Sequence, residues 1–272
     1  MKIQDIDFDA VWKDTMGWNA PYREGRKFQD AVELAFWEKL APSYTEQYNL
    51  NHDTPLIASW LRRSIGKGQS ILEIGCGSGN FTMEMAPVAR SIVGLDFSPA
   101  MLREMEKRAA AHGYMHIRGQ VGKWEDFSPS EHFDSIVSMN SLYRIEDIEA
   151  ALLKMWDYGD QVLIVRTIQR SLWHFIYKDL GIPSEECRDY QILPQLFWSH
   201  GIHANVEYIT YPIRRQYPSW EVIREQMKAE IGVAEYEAHE ADCLRALRSC
   251  QVGDHSLILE VPRTTVLIQA KK

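Results

Sequence analysis

Cysteine is scarce in these 272 residues: Cys76, Cys187, Cys243 and Cys250 stand singly, with no CxxC pair among them. Neither a zinc ribbon nor a disulfide scaffold is suggested, and a reducing cytoplasm is the expected compartment. Long apolar runs are missing too, since each meets Lys, Arg, Asp or Gln well before the ~18 apolar residues of a membrane span. The opening MKIQDIDFDA carries aspartates where a secretory signal carries basic residues and an apolar stretch, so neither export nor a membrane partner is expected. Positive charge is in deficit, with 30 Lys and Arg against 38 Asp and Glu for a net charge of −8. Such a chain lacks the basic footprint of a nucleic-acid binder, and its one notable cluster, Arg23, Arg26 and Lys27, is diluted by Glu24. What remains, 45% apolar and 25% charged residues, is ordinary globular composition.

No internal repeat, low-complexity tract or Gly/Ser linker interrupts the chain, but strand and helix patterns alternate after residue 55. The apolar run Ser70 to Ile74 closes on Gly75, Gly77 and Gly79 and leads into a helical pattern through Phe81, Met85 and Val88. Ser91 to Leu95 leads likewise to Asp96, Ser98 and Pro99, where serine can cap and proline open a helix that ends near His112 and Gly113. Further strands are expected over Met115 to Arg118, Asp134 to Met139 and Gln161 to Val165, with a helix around Asp147 to Met155. Continuous Ile, Val and Leu runs alternating with helices predict a doubly wound, mostly parallel α/β sheet with right-handed crossovers.

Beyond Ile168 the alternation lapses and aromatics crowd in, among them Trp173, Tyr177, Tyr190, Trp198, Tyr208 and Tyr217. Mainly helices are expected there, with one strand near Val206 to Tyr211, before Thr264 to Gln269 returns to the sheet as a last strand. The reading divides the chain into an N-terminal helical lid (1–54), a sheet core (55–168), an inserted, mainly helical cap that includes the late strand (169–262) and the final strand (263–272). Trp173, Tyr177, Tyr190 and Trp198 are candidate substrate contacts, because a cap beside a ligand cleft has to line something.

Glu73-Ile74-Gly75-Cys76-Gly77-Ser78-Gly79 places glycines at a strand end and a helix start, where the backbone can approach a ligand and free amides face it. Asp96 follows directly behind the second strand, where a carboxylate can accept from both hydroxyls of a ribose. The two together point to an adenosine-containing ligand. A dinucleotide fingerprint would put glycine where Asn80 stands, so a different cofactor is favoured.

These segments resemble the first two motifs of class I S-adenosylmethionine-dependent methyltransferases, in their small-molecule branch. Phe36 to Tyr44 resembles the helix that lids the cofactor there, Pro99 to Leu102 the helix after the ribose acid, Gly122 to Phe127 the adenine-edge loop, and Phe133 to Arg144 the fourth strand and its exit. The likeness covers residues 36–166 and the terminal strand. It implies a Rossmann-like fold of seven strands, with S-adenosylmethionine as cofactor and S-adenosylhomocysteine as product. It further implies that the stretch from Gly75 through Cys76, Gly77, Ser78 and Gly79 to Asn80 holds the methionine moiety, which Glu73 orients. Asp96 would bind the ribose, Phe97 and Met101 would flank the adenine, and Trp124 would offer it a backbone amide. Lys123 stands where the family often has an aspartate to accept from the adenine amine, a bond that lysine, a donor only, cannot accept. Asn140 would face the methionine amine, Tyr44 would close over it, and Tyr143, in a slot often held by histidine, is the candidate catalytic residue.

His200 and His203, with His174 in the same region, are read as surface histidines around a helix end at Gly201, and no metal is expected. Where the fourth strand ends, Met139-Asn140-Ser141-Leu142 replaces the (D/N)PP(Y/F) of nucleic-acid amine methyltransferases. The expected function is methyl transfer to O, N or C of a small organic molecule. A noncatalytic S-adenosylmethionine-binding regulatory protein is the alternative, and the oligomeric state is open.

Overall fold

The apolar runs become seven strands in one sheet, ordered β3-β2-β1-β4-β5-β7-β6. The computed structural model describes residues 6–16, 28–49, 54–168, 176, 180, 181, 188–252 and 257–272. Among the described residues three helices precede the sheet: α1 (Phe8–Thr15), α2 (Asp30–Asn49) and α3 (Thr54–Ile65). The core then runs β1 (Gln69–Ile74), α4 (Asn80–Met85), β2 (Ala89–Asp96), α5 (Pro99–Ala111), β3 (Ile117–Val121), β4 (Phe133–Met139), α6 (Ile148–Tyr158) and β5 (Gly159–Thr167). After it come α7 (Asp189–Ser199), β6 (Ala204–Gln216), α8 (Trp220–Ile231), α9 (Val233–Ala238), α10 (Glu240–Ser249) and β7 (Ile258–Lys271).

The first five strands pair in parallel, whereas β7 runs antiparallel between β5 and β6. Helices cover both faces, as parallel strands apolar on both sides require. One face packs Trp12, Leu72, Ile136, Met155 and Phe197 into a core with α1, α6 and α7; the other packs Trp60, Leu61, Phe81, Val137 and Leu163 with α3 and α4. Registers Ile74↔Leu95, Ile74↔Ser138 and Met139↔Val165 bring the carboxyl ends of β1, β2, β4 and β5 level.

Three strands differ from their sequence reading in ways the structure accounts for. Met115, taken for the start of the third strand, lies in a turn and is 91% exposed, and pairing begins at Ile117. The late and final strands run well past Tyr211 and upstream of Thr264, into Pro212 and Pro262. These prolines, which a sequence pattern reads as strand breakers, face each other across the β6–β7 ladder. A pair of opposed residues that exchange no amide hydrogen bonds needs no donor from either.

The β6–β7 ribbon therefore projects beyond β5, whose pairing stops at Thr167↔Thr265. At its far end the Tyr217 amide donates to Leu257 O at 2.8 Å, and α8, α9 and α10 fill the chain between. Ile176, Tyr217, Ile223, Met227, Tyr236, Cys243, Leu247 and Leu259 give that helical unit a core of its own.

Candidate active site

At the carboxyl ends of β1, β2, β3 and β4 opens a cavity of about 800 Å³, where open α/β sheets bind ligands. Its floor is the turn after β1. Gly75, Gly77 and Gly79 all have positive φ, at 67°, 55° and 78°. Space demands glycine as well: a Cβ on Gly75 would lie 2.2 Å from that of Ser141, and one on Gly79 would lie 2.6 Å from Met105 Cγ. The Gly77 position instead faces the Tyr44 ring of α2 at 3.7 Å, so this stretch of the loop lies directly under that ring.

Asp96 ends β2 in the cavity wall. Its Oδ2 accepts from the Gly77 amide at 2.9 Å and its Oδ1 from the Ser98 amide at 2.8 Å. Burial pushes its carboxyl up from the usual range, while the two amides pull it down. A carboxylate offers about four acceptor sites, so two remain beyond these amides for vicinal hydroxyls. Phe97, Met101 and Trp124 supply flat and apolar wall beside it. These residues fit an adenosine-bearing ligand.

Helix α2 and the sheet domain meet through charged and hydrogen-bonded groups. Asp30, at the start of α2, pairs with both Lys123 and Arg144, which hold its carboxyl below the ordinary range; Arg144 also lies over the Phe97 ring at 4.5 Å. Glu33, with 0% exposure, accepts from Trp37 Nε1 at 2.8 Å and from the Tyr143 hydroxyl at 2.5 Å. Farther along α2, Thr45 meets Ser78 Oγ at 2.8 Å, and Arg108 of α5 donates to Thr45 Oγ1, Ser78 O and Asn80 Oδ1. Burial lifts the Tyr44 phenol to about 12, with a smaller push from Asp96.

Of the residues singled out in the sequence, the cavity wall contains Tyr44, Gly75, Gly77, Asp96, Phe97, Met101, Lys123, Trp124, Asn140 and Tyr143. Cys76, Ser78 and Gly79 of the same turn, and Asn80 at the start of α4, are not among the described lining residues. Nor is Glu73, whose carboxyl accepts from Thr82 Oγ1 at 2.5 Å and is raised by burial to about 8. Lys123 is tied to Asp30, and the Trp124 indole donates to Ala151 O at 3.0 Å. The Asn140 side chain accepts from the Thr167 amide and donates to its hydroxyl, at a backbone φ of 51°.

Tyr190 and Trp198 do not reach this cavity. They flank the buried face of α7, which packs Ile192, Leu193, Leu196 and Phe197 against the sheet, and Trp198 Nε1 donates to Ala204 O. Trp173 and Tyr177 lie outside the described residues. Gly201, with φ 72°, follows the end of α7, and His200 is bound to Glu149.

Asp30, Glu33, Arg108 and Arg144 belong to the site without having been singled out. The acids sit at helical spacing before Trp37, a legible pattern, but nothing local shows what they face.

Residues 71–158 match a family model described as "Methyltransferase domain". Nodulation protein S of Sinorhizobium fredii is 33% identical over 92 residues, 33% of this chain and 42% of that protein. The ubiquinone biosynthesis O-methyltransferase of Pasteurella multocida is 28% identical over 162 residues, 53% of this chain and 66% of its own length. The chain thus spans less than two thirds of these curated relatives. Among solved structures, the YcgJ protein from Bacillus subtilis superposes with a TM-score of 0.51 at 16% identity, covering 80% of this chain and 97% of that one, a likeness of fold.

Proposed function

We infer, from the premise that residues 71–158 form a class I S-adenosylmethionine-dependent methyltransferase domain, that the protein methylates a small organic molecule. The observation that carries this reading is the Asp96 carboxylate, fixed by the Gly77 and Ser98 amides at the lip of a glycine-floored cavity. When bound, S-adenosylmethionine supplies a methyl group already activated on a sulfonium centre, so the protein's share is alignment and exclusion of water. Asp96 accepts from the ribose hydroxyls, Phe97, Met101 and Trp124 wall the base, and the Gly75–Gly79 turn supports the amino-acid end. Tyr44 and Trp37 of α2 cover the cleft.

A small acceptor is supported by the enclosure that α2 provides and by the chain's net charge of −8, which disfavours a polyanion. Among the described residues no helix is long and apolar enough to cross a membrane. The test is calorimetric titration of S-adenosylmethionine and S-adenosylhomocysteine, followed by labelled methyl transfer into a metabolite extract read by mass. Binding with incorporation into a small molecule supports the reading. Incorporation into RNA or protein alone overturns the substrate class, and binding without any transfer marks a noncatalytic binder.

A further inference from the structure

The acid that α2 buries at the cleft reaches the cavity through a phenol. Glu33 Oε1 receives the Tyr143 hydroxyl at 2.5 Å and, one helical turn on, the Trp37 indole at 2.8 Å, and both donors line the cavity. A phenol carries a single proton, and here it points to Glu33. Toward any other neighbour Tyr143 Oη presents lone pairs, so a ligand group that meets this oxygen from the cavity must be a donor. The carboxylate is the partner that makes the phenol oxygen electron-rich, and with 0% exposure it does so with little solvent screening.

We propose, building on the methyltransferase reading, that Tyr143 and Glu33 form a two-step path for the proton released by the methyl acceptor. The acceptor is then a proton-bearing nucleophile, a hydroxyl or N–H group, and not a thioether or tertiary amine. As the acceptor's bond to hydrogen breaks, its proton passes to Tyr143 Oη and the tyrosine's own proton passes to Glu33 Oε1. The electron pair left on the acceptor forms the bond to the methyl carbon, and the pair of the broken carbon–sulfur bond stays on sulfur. A cation and a carboxylate enter the step; a neutral thioether and a carboxylic acid leave it. Within a water-poor cleft this mutual cancellation of charge favours the forward direction. Tyr143 is the catalytic residue and Glu33, acting through it, the positioning residue.

The experiment offers tritium-labelled S-adenosylmethionine with catechol, benzyl alcohol, benzylamine, N,N-dimethylbenzylamine or a metabolite extract. The proteins compared are the parent, Glu33→Gln, Glu33→Asp and Tyr143→Phe. Transfer is expected only to proton-bearing acceptors, with kcat lowered about 10²–10³-fold in Glu33→Gln and Tyr143→Phe and partly restored in Glu33→Asp. A solvent deuterium effect on kcat should be present in the parent and shrink in Glu33→Gln. S-adenosylhomocysteine affinity should stay within about threefold throughout, which a mere tether of α2 to the body would not give.

Four outcomes overturn the proposal: transfer to the tertiary amine, a Glu33→Gln rate near the parent's, a rate loss that follows lost S-adenosylhomocysteine affinity, or binding with no transfer to any acceptor. A parent that fails to bind S-adenosylhomocysteine overturns the methyltransferase reading itself, whatever the variants do.

Discussion

Asp96 holds the Gly77 and Ser98 amides on its two oxygens, and the proposed function gives the same pair a second duty, receiving a ribose. Asp96→Ala should therefore weaken S-adenosylhomocysteine binding at least about 100-fold, since two charge-assisted hydrogen bonds are each worth about 1.5–3 kcal/mol. Asp96→Asn, which keeps one acceptor oxygen, should fall between; calorimetry measures both, and parental affinity in Asp96→Ala would sink the assignment. Glu73 is buried beside the Thr82 hydroxyl, outside the described lining of the cavity. Its carboxyl is raised to about 8 by burial, tempered by the Thr82 hydroxyl. The folded chain thus binds this proton more tightly than the unfolded one. The associated stability is complete below the ordinary carboxylate range and is lost as pH climbs through about 8. Glu73→Gln should remove that part of the pH slope and match or exceed the parent's denaturation midpoint at about pH 9. Urea unfolding at about pH 5 and pH 9 checks this, and an unchanged slope would show that Glu73 is not the titrating group. Asp96 and the glycine turn were legible because local backbone demands and one acid in register suffice to mark them. Glu33 was not, because its partner Tyr143 comes from an element more than a hundred residues away.

At the scale of elements, α2 supplies Trp37 and Tyr44 to the wall of the cleft. It is held to the body at one end by Asp30 with Lys123 and Arg144, and farther along by Thr45, Ser78 and Arg108. S-adenosylhomocysteine is expected to raise hydrogen-exchange protection over residues 30–46, because closure expels water from the reacting group. Asp30→Ala should lower that gain at the amino end of α2 more than near Thr45. Equal protection with and without ligand would mean that α2 is a fixed wall. Helix α4 depends on Gly79, the αL residue that opens it. Gly79→Ala should lose about 1–2 kcal/mol to backbone strain, and more to the collision with Met105, read as a lower urea midpoint. Alternating apolar runs made β1, β2, β4 and β5 legible to within two residues at each end, whereas β6 and β7 outran their reading at Pro212 and Pro262. Strand rules penalise proline for a missing donor, and only the register shows that no donor is needed there.

Over the whole molecule, the helical unit α8–α10 enters and leaves the ribbon at adjoining residues, Tyr217 and Leu257. The sequence reading placed one cap over residues 169–262; most of 169–187 lies outside the described residues, and beyond it α7 packs against α1 and α6 while the helical unit hangs on the ribbon. Aromatic density could have separated the two, since α7 holds Tyr190, Phe197 and Trp198 in 11 residues, whereas residues 218–256 hold Trp220 and Tyr236. Replacing residues 218–256 by an Asn-Gly turn should leave S-adenosylhomocysteine affinity within about threefold, the described lining of the cavity falling in residues 28–154, while acceptor turnover falls. Loss of cofactor binding in a folded deletion would show that the unit shapes the cofactor site. The sheet order has a further consequence for a chain made from its amino end. β6 is synthesised before β7, yet among the described residues its sole ladder is with β7, and β5 likewise waits for β7 along one edge. A nascent chain that stops short of β7 therefore carries two unpaired strand edges at once, β5 on the nearly finished sheet and β6 without a neighbour. Co-translational holding by a chaperone should concentrate in that interval, and truncation before residue 258 should yield aggregates where loss of the helical unit yields a soluble protein.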